Sequence, residues 1–289
     1  MYSPADVELG SHPTAAASCR LPVSGLFMEI RHPTGHEEML LLERPAQSAE
    51  VAVALAQRLG RTADGAAIAW LELSVTDLDA FLLYIRQALI GDRLTADVWC
   101  RAPDCGSRIE ISFSVAAYLQ RYQPTRSGKP RRGWIVATSH EEPGWFRLTP
   151  KPNPARSRSL ELRFRLPTIG DALAATNLSD GEQELARRCI RPENLPLRTR
   201  RIIEAAMEAM APPLSGDLEG ICPDCGARVT VYFDPRQFCL QEFRNRAAFV
   251  YEDIDTLAQR YCWSEHAILA MPNTRRSSYA ELARQKRYV

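Results

Sequence analysis

Two cysteine turns constrain this chain more than any other feature. Ile221-Cys222-Pro223-Asp224-Cys225-Gly226 sets two cysteines two residues apart beside Pro and Gly, and the strand-like run 227–233 follows at once. That is the pattern of a zinc knuckle, a tight turn aiming two sulfurs at one point. A knuckle supplies two ligands, and a structural zinc takes four. The missing pair is expected at Cys100 and Cys105, because CRAPDCGSRIEISF repeats CPDCGARVTVYF with two extra residues inside the turn. Cys100, Cys105, Cys222 and Cys225 are therefore the expected ligands of one structural zinc per chain. The rival arrangement, a separate metal at each knuckle, needs histidine partners. His12, His32, His36, His140 and His266 have no pair spacing near either turn. In another alternative the widened first turn has lost its metal.

A four-thiolate site on a divalent ion is closed and leaves no water to activate, so it builds structure and performs no hydrolysis. Its binding energy is folding energy, on the order of 10 kcal/mol or more in isolated sites. Catalytic signatures are missing: there is no G-x-S-x-G, H-E-x-x-H or phosphate loop. The chain is expected to be no enzyme. A net charge of +1 gives no global field for nucleic acid or membrane. The charge is uneven, however: residues 1–92 hold 12 acids and 6 bases, so the remainder is +7. No secretory leader or membrane span is visible, and the expected setting is cytoplasmic, with reduced cysteines. Cys19, Cys189, Cys239 and Cys262 fall in no paired motif and read as buried or incidental thiols.

The order of signals divides the chain into a loose arm over 1–20, a first unit over 21–122, a linker over 123–143, a second unit over 144–235 and a helical extension over 236–289. In the first unit, 26–31 and 39–43 read as a strand pair around Pro33-Thr34-Gly35. Helices are expected over 48–59, with Ser48 as cap, and over 76–90; strand 94–99 leads into the first knuckle. In the second, 144–148 and 160–166 read as strands. Helices follow over 168–176, from a Ser179–Glu182 capping box to Cys189, and over 198–210. Gly25 and Gly144, Cys100 and Cys222, and Cys105 and Cys225 are 119, 122 and 120 residues apart. This near-constant offset predicts an α+β protein of two diverged repeats (β-hairpin, helices, zinc-knuckle hairpin) joined by a zinc-ribbon-like site, plus the C-terminal extension.

The extension has no counterpart in the first unit. Asp234-Pro235 opens a helix expected to run to Tyr261, with Leu240, Phe243, Ala247, Val250, Ile254, Leu257 and Tyr261 as a heptad-like seam. Ser264 caps a short helix and Pro272 opens the last one.

Several of these motifs carry a resemblance. The CPDCG knuckle, Phe233-Asp234, the long helix, Trp263-Ser264-Glu265, Ile268-Leu269 and Arg275-Arg276-x-x-Tyr279 resemble small zinc-knuckle proteins of contractile-tail gene clusters. Those clusters encode phage tails, tailocins and extracellular contractile injection systems. The family is related to the baseplate hub assembly chaperones of T-even-type phages. Gly91-Asp92-Arg93-Leu94 also resembles it. Cys262 replaces the family's usual Gly, and Asp255 stands where His is common. The resemblance covers roughly 90–120 and 167–289 and implies a non-catalytic role in baseplate or hub assembly. Hub or spike proteins would be the partners, and the protein itself could be built into a tail-like particle. Trp263, Glu265, Ile268, Leu269, Arg275, Arg276 and Tyr279 are the implied partner-binding residues. The alternative function is a zinc-ribbon nucleic-acid binder using the basic linker (Arg126, Lys129, Arg131, Arg132) and tail. For 236–262 the competing expectation is packing on the chain's own domain.

Overall fold

A computed structural model of the chain describes residues 15–45, 49–125, 134–139, 141–150, 162–176 and 178–285. It is an α+β protein in which every sheet is small and antiparallel.

Strands β1 (Ala15–Arg20) and β2 (Phe27–Arg31) form a hairpin whose turn places Gly25 at φ 72°, and β3 (Gly60–Arg61) pairs with the other edge of β2. The arm expected through residue 20 is thus a strand from Ala15. Between β2 and β3 lie helices α1 (Gly35–Glu43) and α2 (Ala49–Leu59). The second strand expected at 39–43 is therefore helix. Its cause is local: Glu37 accepts from the Thr34 N–H at 2.8 Å and from its hydroxyl at 2.9 Å, which closes a capping box at the first turn. The expected cap Ser48 lies outside the described residues. Gly60 is required by packing, since a Cβ there would stand 2.7 Å from Phe81 and 2.8 Å from Met28.

A 3-10 turn at Trp70–Glu72 precedes α3 (Val75–Ile90), which Ser74 caps by accepting from the Asp77 N–H. The chain continues with β4 (Arg93–Trp99), β5 (Arg108–Ser114) and α4 (Val115–Arg121). The second unit has β6 (Trp134–Thr138), β7 (Trp145–Pro150), β8 (Leu162–Arg165), α5 (Ile169–Thr176), α6 (Gly181–Cys189), β9 (Ile190–Arg191), α7 (Leu197–Met210), β10 (Gly216–Ile221) and β11 (Arg228–Phe233). Strands β6 to β9 make one sheet in chain order, and β4–β5 and β10–β11 are separate two-stranded ribbons. β6 occupies part of the expected linker; the basic cluster 126–133 lies outside the described residues. Asp180, not Ser179, is the N-cap of α6.

The expected single helix after Asp234 is two, α8 (Pro235–Ala247) and α9 (Val250–Tyr261), broken at Ala248 and Phe249. Helices α10 (Glu265–Leu269) and α11 (Asn273–Gln285) end the described chain. The break divides the apolar seam between two cores. Leu240 and Phe243 enter the main core with β1, β2, α2 and the fully buried α3 residues Phe81, Leu82 and Ile85. Leu257 packs instead with Ile268 and Ala280. A third core, between β7, β8, α6 and α7, holds Leu148, Leu162, Phe164, Cys189 and Ile203. Far from standing apart, α8 is structural core for the first unit, because removing apolar surface from water outweighs any tendency of the seam to wait for a partner.

Candidate metal centre

Each ribbon ends in a cysteine turn. In the first, the Cys100 N–H donates to the Ser107 carbonyl at 2.8 Å and the Cys105 N–H to the Ala102 carbonyl at 3.3 Å. Gly106 at φ 60° matches Gly226 of the second turn, whereas the widened turn alone puts the residue before its second cysteine, Asp104, at positive φ (63°). In the second, the Cys222 N–H donates to the Ala227 carbonyl at 2.8 Å and the Gly226 N–H to the Cys222 carbonyl at 3.0 Å. Gly226 sits at φ 73°, a conformation open to Gly and strained for most residues.

These turns bring all four sulfurs together within 4.8 Å of one another. Cys100 and Cys225 Sγ are 3.7 Å apart, and Cys105 and Cys222 Sγ 3.8 Å. A disulfide would need about 2.05 Å. A tetrahedral ion with metal–sulfur bonds of about 2.3 Å needs sulfur–sulfur edges of about 3.8 Å. The four cysteines can therefore hold one metal ion, each ribbon giving one buried ligand (Cys100, Cys222) and one more open one (Cys105, Cys225). No other cluster of metal-ligating side chains is found among the described residues, and a closed sulfur set leaves no ligand position for a substrate.

A metal binds thiolates, so loading this site sheds protons. Hydrogen bonding by the Ser107 hydroxyl, then by its backbone, draws the Cys105 thiol down to about 7. Cys225 accepts from the Ala227 N–H, which favours its thiolate, but the neighbouring cysteine sulfurs, Cys105 first, prevail and push it up to about 12. Ser107 was not among the expected residues, although its place two positions after Cys105 in the turn was visible. The four remaining cysteines stay apart. Cys19, Cys189 and Cys239 are buried and Cys262 is exposed; burial pushes Cys19 up to about 12 and Cys189 to about 11.

The residues implied for partner binding separate into two groups. Ile268 and Leu269 are buried, and Arg276 is only 2% exposed. Ile268 packs inside the extension with Leu257 and Ala280, Leu269 and Arg276 hold the extension to α1, and all three are withdrawn from a partner. Arg276 reaches Glu38 on α1 and donates to Asp253 on α9 at 3.2 Å, while Arg284 donates to the other Asp253 oxygen at 2.6 Å. Glu265 and Arg275 are exposed. Trp263 and Tyr279 are half-buried, Trp263 stacked on Tyr261 at 4.8 Å and edge-on to Tyr279 at 5.3 Å.

A second motif went unnoticed in the sequence. Arg31-His32-Pro33-Thr34-x-x-Glu37 recurs as Arg165-Leu166-Pro167-Thr168-x-x-Asp171. In both places the arginine clamps the acid with two nitrogens, and the acid accepts from the threonine N–H and hydroxyl. The signal was an identical R-x-P-T spacing followed by a carboxylate.

Comparison with protein-family models, curated proteins and solved structures finds no match to this chain. No helix among the described residues is long and apolar enough to cross a membrane.

Proposed function

We propose that this chain is a non-catalytic assembly or structural protein of a contractile, phage-tail-like particle, acting at the baseplate or hub with one structural zinc. The observation that carries the structural, non-catalytic part of this reading is the convergence of two knuckles, more than 100 residues apart in sequence, on one closed four-sulfur site. Such a site staples distant segments into a rigid body and has nothing to offer a substrate. The choice of zinc rests on the all-cysteine donor set and on spacings near those of a tetrahedral ion. The tail assignment rests on the motif resemblance alone.

The reading includes an internal duplication meeting at a zinc-ribbon-like joint. Two observations favour it. The order β2–α1–α2–β3–α3–β4–β5–α4 is parallel to β8–α5–α6–β9–α7–β10–β11–α8. The two R-x-P-T clamps then occupy the same place, after β2 and after β8. On this pairing Gly25 and Gly144 are not equivalent, since Gly144 precedes β7. The partner surface lies on what the extension leaves outside: Glu265, Arg275 and the accessible edges of Trp263 and Tyr279, a mixture of Arg and aromatic groups common at interfaces.

Co-expression tests the function. The tagged chain should co-purify with hub or spike proteins encoded beside it, and Trp263→Ala with Arg275→Glu should lose them while keeping its metal. Neighbouring genes without sheath, tube or spike proteins would remove the basis for the assignment.

A further inference from the structure

We propose that the cleft between the two metal-bound ribbons takes up an extended segment of a partner protein as an added β-strand, one whose residues alternate apolar and basic. The partner segment would pair with the free edges of β5 and β10 and join the two ribbons into one sheet. The ribbons and the cleft are there whatever particle the protein serves.

The register defines both edges. In the β4–β5 ladder, Cys100 N–H donates to Ser107 and Val115 N–H to Asp92. Alternation along an antiparallel pair then turns the backbone N–H and C=O of Arg108, Glu110 and Ser112 away from β4. In β10–β11, Cys222 N–H donates to Ala227, so Asp217, Glu219 and Ile221 of β10 turn theirs away from β11. Neither edge pairs with another strand among the described residues. Unpaired edges are templates for strand addition.

The two edges border one cleft of about 330 Å³, lined by Ile111 to Ser114 of β5 and by Leu218 and Glu219 of β10, above Tyr118 and Arg121 of α4 and Tyr122 just past its end. The Ser112 hydroxyl is buried there without a hydrogen-bond partner. A buried hydroxyl without a partner is costly, and an incoming backbone group would satisfy it. The four cysteines bring the ribbons together at one end. At the other, Phe233 packs edge-on against Phe113 and Tyr118, both at 5.4 Å.

The faces of the ribbons specify the segment. Ile109, Ile111 and Phe113 alternate with Arg108, Glu110 and Ser112, and Leu218 with Asp217 and Glu219. The first set is half-buried and would meet apolar side chains of the added strand. On the other face Arg108 is paired with Asp97. Among the described residues, Glu110, Asp217 and Glu219 make no salt bridge and outnumber Arg121, the one cation lining the cleft, so the balance of charge selects basic side chains.

The experiment uses the zinc-loaded full chain and two labelled synthetic peptides, one alternating valine with lysine and one alternating valine with glutamate, read by fluorescence anisotropy. The valine–lysine peptide should bind about tenfold or more tightly than its acidic counterpart. Ser112→Pro and Glu219→Pro each remove an outward N–H while leaving the ladder to β4 or β11 intact, a position that tolerates proline. Each should weaken binding about tenfold or more with metal content unchanged. If proline costs the metal, Glu110→Lys with Glu219→Lys decides: reversed peptide preference supports the proposal, and unchanged preference overturns it. Binding that ignores both prolines, or no binding of either peptide, also overturns it. So does a dimer that Ser112→Pro dissociates in a chain that takes up no peptide, because the edge would then belong to a second copy.

Discussion

Arg276 sits between two carboxylates from different parts of the chain, Glu38 and Asp253, with all three side chains out of water. One nitrogen of its guanidinium, Nη1, has no hydrogen-bond partner. A buried arrangement of this kind contributes little net stability when intact but is costly to break, because removing one member strands the others. Arg276→Met should therefore lower stability by about 3–5 kcal/mol in denaturant melts, whereas the exposed Arg275→Met should change it by less than about 0.5 kcal/mol. The clamp acid Asp171 gives a pH signature. Burial would raise its carboxyl, but hydrogen bonds from Arg165 and Thr168 prevail and hold it down at about 2, below its ordinary 3.8. A lowered carboxylate stabilises the fold above its unfolded-state value, and that contribution is lost as pH falls through the folded-state value. Asp171→Asn should accordingly be less stable than the parent at pH 7, with the difference closing between about 4 and about 2. A gap that stayed constant with pH would show that the Asp171 charge contributes nothing.

The C-terminal helices are fixed to α1 by close approach as well as by charge. A Cβ on Gly35 would lie 2.5 Å from Leu269 Cδ2 and 2.9 Å from its Cα. Gly35→Ala should push α10 and α11 outward, seen as faster hydrogen exchange over 262–285, while the metal stays bound. Asp234 caps α8 by accepting from the Arg236 and Gln237 N–H groups at 2.9 and 3.1 Å. Its replacement by Ala should cost about 1 kcal/mol, and because α8 is core for the first unit the loss should appear in the main unfolding transition. The elements that could be read in the sequence were those with local causes: α3 from its apolar spacing, α8 from Asp234-Pro235, α10 from Ser264. Those missed depend on partners distant in the chain. β1, AAASCR, has weak strand propensity and exists because β2 pairs with it. The run 39–43 looked like a strand because five residues cannot reveal a helical period, while the Thr34–Glu37 box that decides it lay just upstream. The break at Ala248 and Phe249 was hidden because the seam spacing continues across it.

At the scale of the whole molecule, the cysteine site could be read in the sequence because four side chains of one type in two matching turns need no knowledge of the path between them. The placement of the extension could not: heptad spacing specifies an apolar stripe without saying what covers it, and the answer involves Glu38, more than 200 residues from Arg276. Both features tie distant segments together, so truncation after Gln259 should strip the cover from Glu38 and Leu257 and lower stability, while the four-cysteine site persists. The most direct test of the account is the metal content of the reduced chain and of its Cys100→Ser variant. One zinc per chain, with Cys100→Ser and Cys222→Ser each lowering both metal content and melting temperature, is the predicted result. Two zincs per chain, or a Cys100→Ser variant that keeps its zinc and its stability, would contradict a single site shared by the two knuckles.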